Sequence, residues 1–246
     1  MKKSIKMLAL VLSFIMVLGL MPVAQAEEAP VLAKSDDVVI YYTNDVHTYI
    51  DKGLSYDNIA DLKTETAKQA AGVLLVDAGD HIQGTAYGSM DKGKTIIDLM
   101  NAAGYDLATL GNHEFDYGME GRIKVTDEWA DFPYVSCNFY HEQNGAMGDK
   151  VLKPYEIFEI GGKKIAIIGI TTPESFTKST PAYFQDENGN YIYGIGGSTI
   201  PLHMFVQDAI YGARYEGADI IIALGHLGDD PASQPWTSEE LIANTT

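Results

Sequence analysis

The sequence is poor in cysteine and in positive charge. Cys137 is the one cysteine among 246 residues, so a disulfide within the chain is excluded. Lys and Arg number 17 against 34 Asp and Glu, a formal charge of −17. Such an excess repels polyanions, which excludes nucleic-acid polymers and anionic membrane surfaces as general partners. There is no internal repeat. The apolar run from Met7 to Met21 is too short for a membrane span, which takes roughly 20 residues. Lys2, Lys3 and Lys6 precede it and Ala24-Gln25-Ala26 follows it, so residues 1–26 read as a bacterial-type secretory signal. Its removal leaves a secreted or cell-surface chain starting at Glu27, with no membrane insertion.

What is present is enough apolar material, 46%, for a sizeable core in one domain over residues 27–246. Five runs rich in Val, Ile and Leu read as strands: Val38 to Thr43, Val73 to Ala78, Leu107 to Leu110, Lys164 to Ile170 and Asp219 to Leu224. They lack clear alternation, which suits strands covered on both faces. Between them, Ser55 is placed to cap a helix burying Ile59, Leu62 and Ala67. Ile96, Ile97 and Met100 mark another helix, ending at Gly104. Tyr155 to Ile160 and Lys164 to Ile170 flank Gly161-Gly162, a hairpin signal that makes the sheet mixed. The expected class is therefore a layered α/β fold with helices on the outer faces. Asp186 to Ser198 reads as a surface loop, and Tyr134 to Asn138 as a strand that buries Cys137 as a small apolar side chain.

Chemistry concentrates behind the strands. Asn44-Asp45-Val46-His47 follows the first, Gly79-Asp80-His81-Ile82-Gln83-Gly84 the second, Gly111-Asn112-His113-Glu114-Phe115-Asp116 the third, and Gly225-His226 the last. Loops at strand carboxyl ends converge in open α/β sheets. Oxygen and imidazole donors without thiolates suit Zn, Mn or non-haem Fe, and a central Asp can bridge two ions. Two cations about 3.5 to 4 Å apart can activate a shared water and neutralise the oxygens of an in-line displacement at phosphorus. His113 has Asp116 beside it to fix its tautomer. His81 lies at a variable position and reads as a near-site or surface residue, while His141 and His203 lack companions.

These blocks, with Ser136-Cys137-Asn138 and Gly225-His226-Leu227-Gly228, resemble the calcineurin-like binuclear metallophosphoesterases, specifically the secreted 5′-nucleotidase, UDP-sugar hydrolase and cyclic-nucleotide phosphodiesterase branch. The resemblance implies that Asp45 and His47 bind one divalent ion, Asn112 and His226 a second, and that Asp80 bridges both. It further implies that His113 stabilises the transition state or protonates the leaving oxygen, that Asp116 orients it, and that Asn112 and His113 touch the substrate. The implied substrate is a nucleotide or another phosphate ester. Non-nucleotide ester hydrolysis, or an exported binding protein or inactive fragment keeping the fold, stays open beside it. The family's later Gly-His-x-His element, which supplies one imidazole to each metal, and its base-holding C-terminal domain do not occur in this sequence. The fold is thus expected to be incomplete at its C-terminus, where Thr237-Ser238-Glu239-Glu240 opens a helix shortly before Thr246. Weak metal binding and slow turnover follow for these residues alone.

Overall fold

The computed structural model describes residues 34–50 and 53–246; the expected signal segment, 1–26, lies outside the described residues. Strand β1 (Val38–Thr43) pairs in parallel with β2 (Gly72–Asp77), β2 with β3 (Leu107–Thr109), and β3 with β4 (Tyr134–Val135). Further along, β5 (Phe139–Gln143) and β6 (Ala146–Lys150) form one antiparallel pair, and β7 (Tyr155–Ile160) and β8 (Lys163–Ile170) another. Strand β9 (Tyr193–Ile195) adds to β5, and β10 (Ile220–Gly225) lies parallel to β8. The β7–β8 turn is the expected Gly161-Gly162, with φ of 59° and 71°. Both residues are left-handed, as the twist of a two-residue hairpin demands.

The strands therefore divide between separate sheets, β1–β4 and β10-β8-β7 being the larger two and β6-β5-β9 a third. Side-chain alternation explains how the larger two pack. Leu74, Val76, Leu107 and Val135 on one face of the first sheet meet Ile165, Ile167 and Leu224 of the second. Leu75, Ala108 and Tyr134 point the other way, toward α1 (Tyr56–Ala67) and α2 (Lys94–Ala103). Ile168 and Ile170 lie beneath α3 (Leu202–Tyr215) and α4 (Ser238–Asn244). The result is a helix, sheet, sheet, helix order of layers. Both faces of β2 and β8 are covered, which is why neither run alternates between apolar and polar residues.

Local sequence sets the helices. On α2, Ile96, Ile97 and Met100 are fully buried, each burial stabilising by about 1.5–3 kcal/mol, and Gly104 closes the helix at φ 75°. Leu202, Phe205, Val206, Ala209 and Ala213 give α3 its apolar stripe. The Oγ1 of Thr237 accepts the Glu240 N–H at 3.2 Å and so caps α4.

Several expectations need correction. Helix α1 buries Tyr56 and Ile59, whereas Leu62 and Ala67 face solvent, and the Ser55 hydroxyl donates to Asp57 instead of capping the backbone. The stretch 186–198 contains β9, and Ile195 with Gly194, Gly196 and Gly197 is buried. Only Tyr134 and Val135 of the run 134–138 are strand. Asn138 then leaves the sheet to tie loops together: its Nδ2 donates to Thr171 O at 2.7 Å and Gly196 O at 2.9 Å, and its Oδ1 accepts Thr171 N–H at 3.0 Å. Cys137 is buried as expected, and burial pushes its thiol up to about 12. Its reaction with a disulfide reagent at pH 8 should be slowed on the order of a thousandfold relative to the unfolded chain, because the folded protein must open first. Absorbance kinetics with and without denaturant check this; equal rates would contradict the burial.

Candidate metal centre

The four loops that follow β1, β2, β3 and β10 meet at Asp80. Its side chain is 4% exposed, and its Oδ2 lies 3.2 Å from His226 Nε2, 3.9 Å from His47 Nε2 and 4.0 Å from His113 Nε2. Each imidazole is held from behind. His47 Nδ1–H donates to Gln83 O at 3.0 Å, His226 Nδ1–H to Ala78 O at 3.1 Å, and His113 Nδ1–H to Asp116 Oδ2 at 2.6 Å. An outer partner on Nδ1 fixes the tautomer and leaves Nε2 free to serve the centre.

Donor atoms gather in two groups, each within 4.8 Å: His47, Asp80 and His113; and Asp45, Asp80 and His226. Asp80 is common to both, as a bridging carboxylate must be. Asp45 and His47, which the resemblance pairs, are also close, Oδ1 to Nε2 3.5 Å. Asn112 is 5% exposed and stands immediately before a 3-10 turn, His113–Phe115. All seven sequence-derived candidates, Asp45, His47, Asp80, Asn112, His113, Asp116 and His226, thus lie on the loops at this end of the sheets. The donors are carboxylate oxygen and imidazole nitrogen, a set that fits Zn, Mn or Fe and requires no thiolate.

The backbone is strained here. Asp45, His47, Thr48 and Asp80 have φ of 52°, 47°, 60° and 61°, left-handed conformations that cost non-glycine residues about 1–3 kcal/mol each and cluster at functional sites. Cross-loop bonds hold them: Asp45 N–H to Gly79 O at 3.1 Å, His47 N–H to Asp80 O at 3.0 Å, and His113 N–H to Asp80 Oδ1 at 2.8 Å. Gly111 has to be glycine, since a Cβ there would lie 2.1 Å from Asp80 Oδ1 and 2.7 Å from Asp80 N.

Glu114 matched a motif in the sequence but had no assigned role; the structure gives it one. Its fully buried carboxylate accepts the N–H groups of Asp80 at 2.8 Å, His81 at 3.0 Å and Gly111 at 2.7 Å, clamping the β2 and β3 loops together. His81 is no surface residue. It is fully buried, with Nδ1–H donating to Asp77 Oδ1 and Nε2 bonded to Tyr134 OH, both at 2.7 Å. Burial disfavours its cation, but Glu114 and Asp77 outweigh that and raise it to about 9. His226 behaves likewise: burial opposes the charge, and the hydrogen bond and charge of Asp80 raise it to about 9. For Asp80 burial opposes ionisation, but His226 and His113 hold the carboxyl below its ordinary value.

Two helix-flanked sheets packed face to face, with carboxylates and imidazoles gathered where the strands end, are the architecture of a metallophosphoesterase domain. The chain belongs to the calcineurin-like phosphoesterase family, whose model matches residues 38–244. Among curated proteins, snake venom 5′-nucleotidase of Gloydius brevicauda is 33% identical over 224 residues, covering 80% of this chain and 38% of that protein. NAD 5′-nucleotidase of Haemophilus influenzae is 31% identical over 227 residues, covering 85% and 35%. The crystal structure of the calcineurin-like phosphoesterase YfkN from Bacillus subtilis superposes with a TM-score of 0.63 at 29% identity, covering 84% of this chain and 68% of that one. The chain thus spans about two fifths of the length of such curated relatives.

Proposed function

We propose that residues 27–246 are the metal-binding part of an exported, metal-dependent phosphoesterase acting on nucleotides, of the 5′-nucleotidase or 2′,3′-cyclic-nucleotide phosphodiesterase kind. The observation that carries this reading is the convergence of three imidazoles, each pinned at Nδ1, on one oxygen of Asp80. Asp45, His47, Asp80, Asn112 and His226 would hold two divalent ions, of the Zn, Mn or Fe class. When bound, such ions supply activation of a water and neutralisation of the phosphoryl oxygens.

The chain's own groups do the rest. Asp116 keeps the proton on Nδ1 of His113, so Nε2 is the nitrogen turned toward the centre, placed to hold a proton and deliver it to the departing ester oxygen. The side chains of His113 and Asp116, 27% and 23% exposed, are open enough to meet substrate, while Asp80 at 4% is not. Asn112 directly precedes His113 in the same loop, and its amide would bond a phosphoryl oxygen. Export follows from the signal reading of residues 1–26, and no helix among the described residues is long and apolar enough to cross a membrane.

Phosphate release from AMP and from 2′,3′-cyclic AMP in millimolar Mn2+ tests the reading. Expected is release that a chelator abolishes and that His113→Gln lowers by about 100-fold or more, with bound manganese unchanged by elemental analysis. Absence of both metal binding and phosphate release would overturn it.

A further inference from the structure

The loop behind β1 carries a side chain that the donor set does not use. Thr48 follows the candidate ligand His47, is fully buried, and has φ 60°. His47 before it is left-handed too, at φ 47°. Histidine is among the residues that tolerate such a backbone, but for a β-branched residue it is an outlier, so the turn at Thr48 must be held from outside.

The segment from Gln83 to Gly88 holds it. Thr85 N–H donates to Thr48 Oγ1 at 2.7 Å, the two threonine hydroxyls share a hydrogen bond of 2.7 Å, and Thr85 Oγ1 donates to Thr48 O at 3.1 Å. Two residues earlier, Gln83 O accepts the Nδ1–H of His47 at 3.0 Å. The approach is close on both sides of Thr85: a Cβ on Gly84 would stand 2.2 Å from His47 O, and one on Gly88 2.4 Å from Thr48 Cγ2. One segment therefore grips His47 at its imidazole and, through Thr48, at the backbone behind it.

We propose that Thr48, paired with Thr85, is a positioning residue for His47: it fixes the strained turn that aims His47 Nε2 at Asp80 before any metal arrives. The proposal rests on the phosphoesterase reading above and deepens it by adding a residue outside the donor set. Buried and bonded to Thr85, the Thr48 hydroxyl offers no surface to a substrate, so its influence passes through His47. Strain of this kind persists only where the surroundings over-determine it, and at ligand clamps it serves pre-organisation. Without the hydroxyl pair, the two residues relax toward ordinary backbone, and Nε2, which stands 3.9 Å from Asp80 Oδ2, leaves the shared carboxylate. Only the fraction of chains that keep the turn can then bind metal well, and apparent affinity falls by that fraction.

Three variants of the 246-residue chain separate positioning from packing. Thr48→Ser keeps the hydroxyl and should bind Mn2+ as the wild type does. Thr48→Val keeps the branched shape and loses the hydroxyl pair. Thr48→Gly loses the pair as well but takes φ 60° without strain, and it stands in if the valine variant does not fold. Affinity is read on folded protein, well below each Tm, by EPR of the free ion. Removing an outer partner of a metal ligand weakens binding by about 10–100-fold, and a loss of about tenfold or more is expected in Thr48→Val and Thr48→Gly. The metal-free Tm of Thr48→Gly should stay closer to the wild type than that of Thr48→Val. A merely structural threonine would lower Tm and leave the affinity of the folded chain unchanged. Proton–nitrogen NMR of His47 at pH 8 adds a reading without metal: the ring proton should sit on Nδ1 in the wild type and Thr48→Ser, and be shared between both nitrogens in Thr48→Gly. Wild-type affinity in Thr48→Gly, or a loss in Thr48→Ser as large as in Thr48→Val, overturns the assignment. Should the wild type bind no Mn2+, the metal reading falls by itself and the His47 tautomer decides: a shift in Thr48→Gly upholds the positioning role, and an unchanged tautomer overturns it.

Discussion

Replacing Asp80 by alanine is expected to abolish saturable stabilisation of the chain by divalent metal. Both donor groups share this carboxylate, so the substitution removes the one group that would join the two ions. A metal that binds only the folded chain raises stability by about 2.7 kcal/mol when present at a hundred times its Kd. The wild type should therefore show a Tm that climbs with Mn2+ or Zn2+, and Asp80→Ala a Tm that does not. Any phosphate release should fall with it, and unchanged release from the variant would sink the enzymatic reading. The metal response also has a sign in pH. With no metal bound, His226 holds its proton up to about 9 because Asp80 sits 3.2 Å away, and a metal must displace that proton. Apparent affinity should therefore rise as pH increases from about 6.5 toward 9. The proton's own contribution to the metal-free fold runs the other way: it is full below the unfolded value of about 6.5 and is lost as pH passes through about 9. Asp80→Ala removes both trends, which a thermal-shift series across pH would reveal.

The gathering of these side chains was legible in the sequence because each candidate stands directly behind an apolar run. Asp45, Asp80, Asn112 and His226 could be placed at strand ends without knowing how the strands pair, and strand ends converge. What covers the strands was less legible. Residues such as Leu74 and Leu75 are apolar on both faces, and that says only that both faces are buried. Whether the cover is a helix or a second sheet is decided by partners far along the chain, here Ile165 and Ile167 for one face and α1 with α2 for the other. The face of α1 was misread for a related reason: Leu62 and Ala67 fit a helical stripe with Ile59, but tertiary packing selects Tyr56 instead of them. Two buried polar residues were read only in part, His81 as near the site or at the surface and Glu114 as a motif residue without a role. His81 and Glu114 look like surface or motif residues in one dimension, because the groups that neutralise them, Asp77, Tyr134 and three backbone N–H groups, come from separate loops. The one signal available was Asp77 itself, an acid at the end of an otherwise apolar strand, four residues from a histidine.

Glu114 carries the second large effect. In Glu114→Ala three backbone N–H groups, those of Asp80, His81 and Gly111, lose their acceptor inside a site where the carboxylate is fully buried. Hydrogen bonds to a charged acceptor contribute about 1.5–3 kcal/mol each; even with the loops relaxing toward water, a loss of about 4 kcal/mol or more is expected, against a total stability of about 5–15 kcal/mol. Urea unfolding would report it as a lower midpoint. Glu114→Gln separates the clamp from the charge. A carbonyl at the Oε2 position still accepts from Asp80 and Gly111, so most of the stability should return, while the amide set against the His81 N–H forfeits one bond. The charge itself is read on His81, whose raised value depends first, after burial, on Glu114. In the glutamine variant its imidazole should titrate below about 9 by NMR, even where the midpoint is nearly restored. Because the clamp joins the loop of Asp80 to that of Asn112, loosening it should also weaken metal stabilisation in the alanine variant more than in the glutamine one. A wild-type urea midpoint in Glu114→Ala would show that the three N–H groups find water at no cost, and that the two loops keep their positions without the carboxylate.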